Sequence, residues 1–221
     1  MIIDCISDLH GWRPGMKGGD LLILAGDMTA WDSPRSWNSF LNWVDYQDYR
    51  KKIMIAGNHD NFCRNWATSD DSVCDALAGR PSVSYLCDSG IEFEGLKIWG
   101  SPWTQIFEGM NERCAAFTLD TEEELEEKWA LIPSDTDILI THSPPMGLLD
   151  HISFTQEWVG SVSLRNAILS QERFTNLKLH VFGHIHECGG KVLKMPTLTL
   201  VNASHVNEEC HPTNAATRIT L

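Results

Sequence analysis

Ile2-Ile3-Asp4-Cys5-Ile6-Ser7-Asp8-Leu9-His10 is an apolar run that ends in a carboxylate and an imidazole. The pattern repeats at LLILA (21–25) before Gly26-Asp27 and at IMIA (53–56) before Gly57-Asn58-His59-Asp60. It returns at 137–140 before His142 and at 177–182 before Gly183-His184-Ile185-His186. Short apolar runs closed by Gly, Asp, Asn or His clusters read as buried strands with functional loops at their carboxyl ends.

Between the strands, residues 34–49 open on Ser33-Pro34 and carry Phe40, Leu41, Trp43 and Val44, which predicts an amphipathic helix. Residues 120–131 predict a second helix, with Thr121 as cap and Glu122 to Glu124 at the positive end of its dipole. Residues 159–174 predict a third. Hairpins are expected where 91–93 and 97–99 flank Glu94-Gly95-Leu96, and where 191–193 and 197–201 flank a turn containing Pro196. Strands that alternate with helices and then dominate the second half predict an α/β fold, a four-layer sandwich of two mixed β-sheets flanked by helices, in one domain over 1–221.

The 221 residues, 43% hydrophobic, are enough to bury a substantial core. No apolar stretch reaches the roughly 18 residues that span a bilayer, and Met1-Ile2-Ile3 lacks the basic start of a secretion signal. The seven cysteines, Cys5, Cys63, Cys74, Cys87, Cys114, Cys188 and Cys210, show no paired spacing, so they read as free thiols in a reducing cytoplasm. A net charge of −13 opposes tight binding to duplex nucleic acid and favours a small substrate.

Asp8 and His10 are two apart, which on a straight strand places both on one face, and His184 and His186 share that spacing. Carboxylate oxygen with imidazole nitrogen suits Mn, Fe, Zn or Ni better than the oxygen-rich surroundings that Mg or Ca take. Gly183 removes a side chain beside the expected ligands.

The ordered blocks Asp8-x-His10, Gly26-Asp27, Gly57-Asn58-His59-Asp60, His142 and Gly183-His184-x-His186 resemble the signature of the calcineurin-like metallophosphoesterases. Further stretches resemble the MPPED subgroup of metallophosphodiesterases: Gly100-Ser101-Pro102-Trp103-Thr104, Leu131-Ile132-Pro133, His142-Ser143-Pro144-Pro145-Met146-Gly147, Leu179-His180-Val181-Phe182-Gly183 and Val201-Asn202-Ala203-Ser204. The similarity runs from Met1 to about Asn214. It implies that Asp8, His10, Asp27 and His186 bind one divalent metal ion, and that Asp27, Asn58, His142 and His184 bind a second. Mn2+ is the first expectation, with Fe, Zn, Ni, Co or Mg as alternatives. Some vertebrate members carry Gly in place of the first His of the final pair and are weakened as enzymes; His184 is retained here.

The implied activity is hydrolysis of a phosphoester by a hydroxide bridging two metals. His59 would contact phosphate beside Asn58 and protonate the leaving group, and Asp60 would orient His59 or cap the helix that follows. The signature blocks lack Arg, and Arg13, Arg64 and Arg113 read as solvated loop residues. A diester, which carries a single charge, is therefore favoured over a monoester, with cyclic or other small nucleotide-type diesters as expected substrates. A phosphomonoesterase and a non-catalytic metal-binding scaffold are the alternatives. Trp12 and Trp103 are candidates to stack on a base.

Overall fold

The computed structural model describes residues 1–31, 33–67, 77–107, 110–170 and 172–221. Its elements run β1 (Ile2–Ile6), β2 (Gly19–Ala25), α1 (Pro34–Asp45), β3 (Tyr49–Ile55), α2 (Asn61–Ala67), β4 (Val83–Tyr85), β5 (Ser89–Phe93), β6 (Leu96–Ser101), β7 (Thr104–Gln105) and β8 (Thr118–Leu119). Then follow α3 (Glu122–Ala130), β9 (Ile138–Thr141), β10 (His151–Ile152), β11 (Glu157–Trp158), α4 (Val162–Leu169), β12 (Leu179–Phe182), β13 (Val192–Lys194), β14 (Thr199–Asn202) and β15 (Thr217–Thr220).

Two mixed sheets form the interior. One has the order β15-β1-β2-β3-β4 and is parallel except for β15; the other has the order β13-β14-β12-β9-β6-β5, with parallel inner strands and antiparallel edges. Their facing sides bury Ile3, Cys5, Ile23, Ile53, Ile55, Ile138, Ile140, Val181 and Val201 against one another. Parallel strands buried on both faces need continuous apolar sequence, which is why these runs do not alternate. On the outer side of the first sheet α1 buries Trp37, Phe40, Leu41 and Val44, each such side chain contributing about 1.5–3 kcal/mol. On the outer side of the second, α3 and α4 bury Leu125, Trp129, Leu164 and Ile168. This is the expected α/β four-layer sandwich.

Three helix boundaries are tighter than the sequence reading. The first helix stops at Asp45, because the apolar spacing ends at Val44 and Tyr49 already pairs with Gly19 as a strand. Thr121 caps α3 through a full capping box with Glu124, as the Thr121 and acidic-turn reading requires. The helix expected over 159–174 spans only Val162–Leu169; Ser161 accepts the Leu164 N–H and sets its start, and Ser170 leaves the helix in extended backbone. Both hairpins form. Cys5, Cys63, Cys87, Cys114, Cys188 and Cys210 are free thiols, whereas Cys74 lies outside the described residues. No helix among the described residues is long and apolar enough to cross a membrane.

At their carboxyl ends the sheets join. Ser7 bridges Ser204 in parallel, Ser7 N–H donates to Ala203 O at 2.8 Å, and Asp8 N–H donates to Gly26 O at 2.9 Å. The loops after β1, β2, β3, β9, β12 and β14 therefore meet along one edge.

Candidate metal centre

The straight-strand geometry expected for Asp8 and His10 does not hold, because β1 ends at Ile6. Asp8 (φ 51°), His10 (φ 39°), Asp27 (φ 55°) and His184 (φ 70°) are all left-handed. That backbone costs about 1–2 kcal/mol per non-glycine residue, so four instances at four expected ligands mark a place where tight turns, not strand alternation, aim the side chains.

Asp27, 2% exposed, lies at the middle. Its Oδ1 is 3.5 Å from His142 Nε2, and its Oδ2 is 3.7 Å from His10 Nε2 and 3.9 Å from His59 Nε2. On one side Asn58 Oδ1 stands 3.0 Å from both His142 Nε2 and His184 Nδ1. On the other, His186 Nε2 is 3.3 Å from Asp8 Oδ1 and 3.3 Å from His10 Nε2. All seven expected ligands are thus brought together, in two groups that share Asp27.

Whether these residues suit cations is decided by their lone pairs. His142 Nδ1 is 2.9 Å from Ala25 O, and His186 Nδ1 is 3.1 Å from Asn207 O. A carbonyl can only accept, so both Nδ1 atoms carry hydrogen, and in the neutral rings both Nε2 atoms present lone pairs. In the neutral rings those lone pairs face the oxygens of Asn58, Asp27 and Asp8, an acceptor-to-acceptor arrangement that either a proton on each ring or a bound cation relieves. The donor set of carboxylate, amide oxygen and imidazole fits divalent transition ions. Carbonyls that fix the remote nitrogen of a ligating His are the usual supporting shell of such sites.

The titration behaviour agrees. Burial opposes ionisation of Asp8 and Asp27, but neighbouring imidazoles, His186 for Asp8 and His142 for Asp27, hold both carboxyls well below the usual range. Burial also works against charge on His142, yet Asp27 and Asp8 raise it to about 9. Burial and nearby His142 push His184 down to about 3, leaving it neutral. A proton on His142 answers the buried negative charge of the protein alone.

Two glycines make room. A Cβ at Gly183 would meet Asp8 Oδ2 at 2.1 Å and Ser7 Oγ at 2.2 Å, and one at Gly57 would meet Asp27 Oδ1 at 2.2 Å. Gly183 is required for close approach, since its φ is not in the left-handed region.

Asp60 corrects the sequence reading. Its carboxylate accepts the N–H groups of Asp27 (2.8 Å), Met28 (3.1 Å) and Gly57 (2.8 Å); it neither orients His59 nor caps α2 with its side chain. Three backbone donors converge on it, so it ties the Gly26 loop to the Gly57 loop and acts as a positioning residue. Burial and the Asp27 charge nonetheless push it up to about 8. His59, its side chain 34% exposed, packs edge-on against His10 and gives its backbone N–H to Asp27 Oδ1 at 2.9 Å.

Trp103 is engaged structurally, with Nε1 donating to Asp88 and Lys128 Nζ 4.2 Å from its ring centre. Trp12 remains at the rim, 45% exposed, its Nε1 donating to Cys210 O. Arg13 and Arg64 are taken by backbone carbonyls, whereas Arg113 is exposed, as its reading as a solvated residue requires, and lines a cavity with His59. The sequence reading missed Ser204, which donates to Asp8 Oδ2 at 2.7 Å, and Trp31, which lines the same cavity as Arg113; Asn202-Ala203-Ser204 at the end of β14 was the available signal for the first.

Residues 1–188 match the calcineurin-like phosphoesterase family. The chain belongs to that family. This calcineurin-like phosphoesterase is 38% identical to human metallophosphoesterase domain-containing protein 1 over 95% of its own length and 68% of the relative's. It is 30% identical to the UPF0046 protein K07C11.7 of Caenorhabditis elegans, over 92% of this chain and 69% of that one. Among solved structures, TT1561 of Thermus thermophilus superposes with a TM-score of 0.60 at 18% identity, covering 91% of this chain and 88% of that chain, a likeness of fold. The chain is a metal-dependent phosphoester hydrolase, and its clustered carboxylates and histidines are consistent with divalent ions.

Proposed function

We propose that residues 1–221 act as one catalytic domain, a two-metal phosphodiesterase of the reducing cytoplasm that acts on small nucleotide-type diesters. The observation that carries this reading is Asp27, whose two oxygens face opposite groups of ligands, Oδ1 towards His142 and Oδ2 towards His10. Asp8, His10, Asp27 and His186 would hold one ion, and Asp27, Asn58, His142 and His184 the other. Bound divalent ions, Mn2+ first among the candidates, would polarise the phosphoryl oxygens and supply a water acidic enough to attack phosphorus near neutral pH.

The protein's own contribution centres on His59. It stands where two cavities meet, one of about 710 Å³ and one of about 540 Å³. The larger is walled by Ile106, Phe107, Met110, Ile152 and Val159, with Glu157, Glu187 and Glu208 at its edges. The smaller carries Trp31, Asn61, Asn111 and Arg113. A diester has two ester arms, and two unlike cavities beside one imidazole suit one arm each. Three carboxylates against one guanidinium disfavour the second negative charge of a monoester. From its half-exposed position, His59 donates a proton to the leaving oxygen.

The test is a comparison of leaving groups. The metal-loaded protein should hydrolyse bis(p-nitrophenyl) phosphate in preference to p-nitrophenyl phosphate; a strong monoester preference would transfer the reading to a phosphomonoesterase, which Arg113 alone favours. His59→Ala should slow an alkyl diester by roughly 10²-fold or more, and the nitrophenyl diester much less, because nitrophenolate leaves without a proton. Equal losses on both would remove His59 from the acid role.

A further inference from the structure

We infer that Cys210 supplies a sulfur ligand to the metal site built on His10 and His186, an inference that rests on the assignment of those two histidines as ligands above. The Sγ atom of Cys210 and the ring nitrogens of His10 and His186 all lie within 4.8 Å of one another. The two nitrogens are themselves only 3.3 Å apart, so three donor atoms converge on one small volume at the rim of the centre. Cys210 is the exposed member of the three.

The loop that carries Cys210 is indexed to the same histidine. Asn207 O accepts the Nδ1–H of His186 at 3.1 Å and the backbone N–H of Cys210 at 2.9 Å, so one carbonyl fixes both donors. Trp12 Nε1 donates to Cys210 O at 3.0 Å, tying that loop to the turn that follows His10. Asn207 Oδ1 takes the N–H groups of Glu209 and His211, and Val206 pairs with Pro212, so the loop is closed on itself. On binding, the S–H bond breaks, the proton leaves to solvent and the sulfur lone pair forms the bond to the ion.

A thiolate changes what the site prefers. Carboxylate and imidazole alone accept Mn2+ readily, whereas sulfur favours Zn2+ and Co2+. The site next to His10 and His186 would therefore be the softer of the two, and the all-oxygen-and-nitrogen site at Asn58, His142 and His184 the harder.

The experiment loads the full chain with Co2+ after chelation and records bound cobalt by elemental analysis together with the near-ultraviolet absorption. Wild type should show an intense sulfur-to-cobalt charge-transfer band. Cys210→Ser and Cys210→Ala should lose the band while still binding cobalt, and Cys114→Ser, which alters the thiol that lines the larger cavity beside Asn58 and His59, should keep it. In competition, the preference of Cys210→Ser for Zn2+ over Mn2+ should fall on the order of tenfold. Cobalt bound to wild type without the band, or a band that survives in both Cys210 variants, overturns the sulfur ligand alone. Failure of wild type to bind cobalt overturns the histidine assignments on which it rests.

Discussion

Asp4 and Asp8 stand four residues apart, one inside β1 and the other just past its end, and are 2% and 0% exposed. Asp4 meets a permanent cation: Arg218 Nε and Nη2 reach its two oxygens at 2.8 and 2.7 Å, and Tyr49 O–H donates as well. Asp8 meets the His184 N–H, the Ser204 hydroxyl and the His186 imidazole, with no Lys or Arg among its described partners. One carboxylate is neutralised by its own chain. The other is hydrogen-bonded into a fixed orientation and, on the proposed function, its charge would be answered by an exchangeable cation. Burial alone does not distinguish a structural carboxylate from a functional one; the kind of positive charge it receives does.

The sharpest way to break this comparison is to remove each charge while keeping its shape. Asp8→Asn should lower phosphodiester turnover on the order of 10³-fold and reduce bound metal, whereas Asp4→Asn should leave turnover within about twofold. Comparable activity losses in the two variants would show that Asp8 acts through the fold. Metal removal gives the next largest effect. At about 100 times its dissociation constant an ion adds about 2.7 kcal/mol, and 1 kcal/mol moves the melting temperature of a chain this size by roughly 2–4 °C. Chelation should therefore lower Tm by roughly 5–10 °C in wild type and in Asp4→Asn, and by less in Asp8→Asn. An equal drop in all three would mean that Asp8 holds no ion.

The same contrast explains what could be read from the sequence. The apolar runs before Asp8, Asp27, Asn58, His142 and His184 announce strands because burial on both faces demands them, and ligand types at their ends announce a metal centre. The left-handed backbone at Asp8, His10, Asp27 and His184 was not legible, because a two-residue spacing looks alike on a strand and in a tight turn. Asp60 was misread for a related reason. A carboxylate next to His59 in sequence points away from it in space, because three backbone N–H groups from two loops outcompete one imidazole. Arg218 lies 214 residues from Asp4, and nothing local signals their pairing.

Asp4→Asn should instead cost stability, about 1 kcal/mol rather than the larger value of a wholly buried pair, because the Arg218 side chain is 36% exposed and solvent screens it. The pH dependence then separates charge from shape. Burial opposes ionisation of Asp4, but the hydrogen bonds from Arg218 and Tyr49 overcome it and hold its carboxyl below the ordinary value. With the folded value below the unfolded one of about 3.9, the unfolded chain binds the proton first as pH falls. The stability from this pair is therefore fully present above about pH 5 and drains away as pH drops through the folded value. Denaturation of wild type and Asp4→Asn followed from pH 7 to pH 3 should give a constant difference down to about pH 5, then convergence. A gap that persists undiminished at pH 3 would mean that Asp4 holds β1 to β15 by the geometry of its hydrogen bonds, and the distinction between a carboxylate answered by a fixed charge and one that awaits a cation would then lose its structural half.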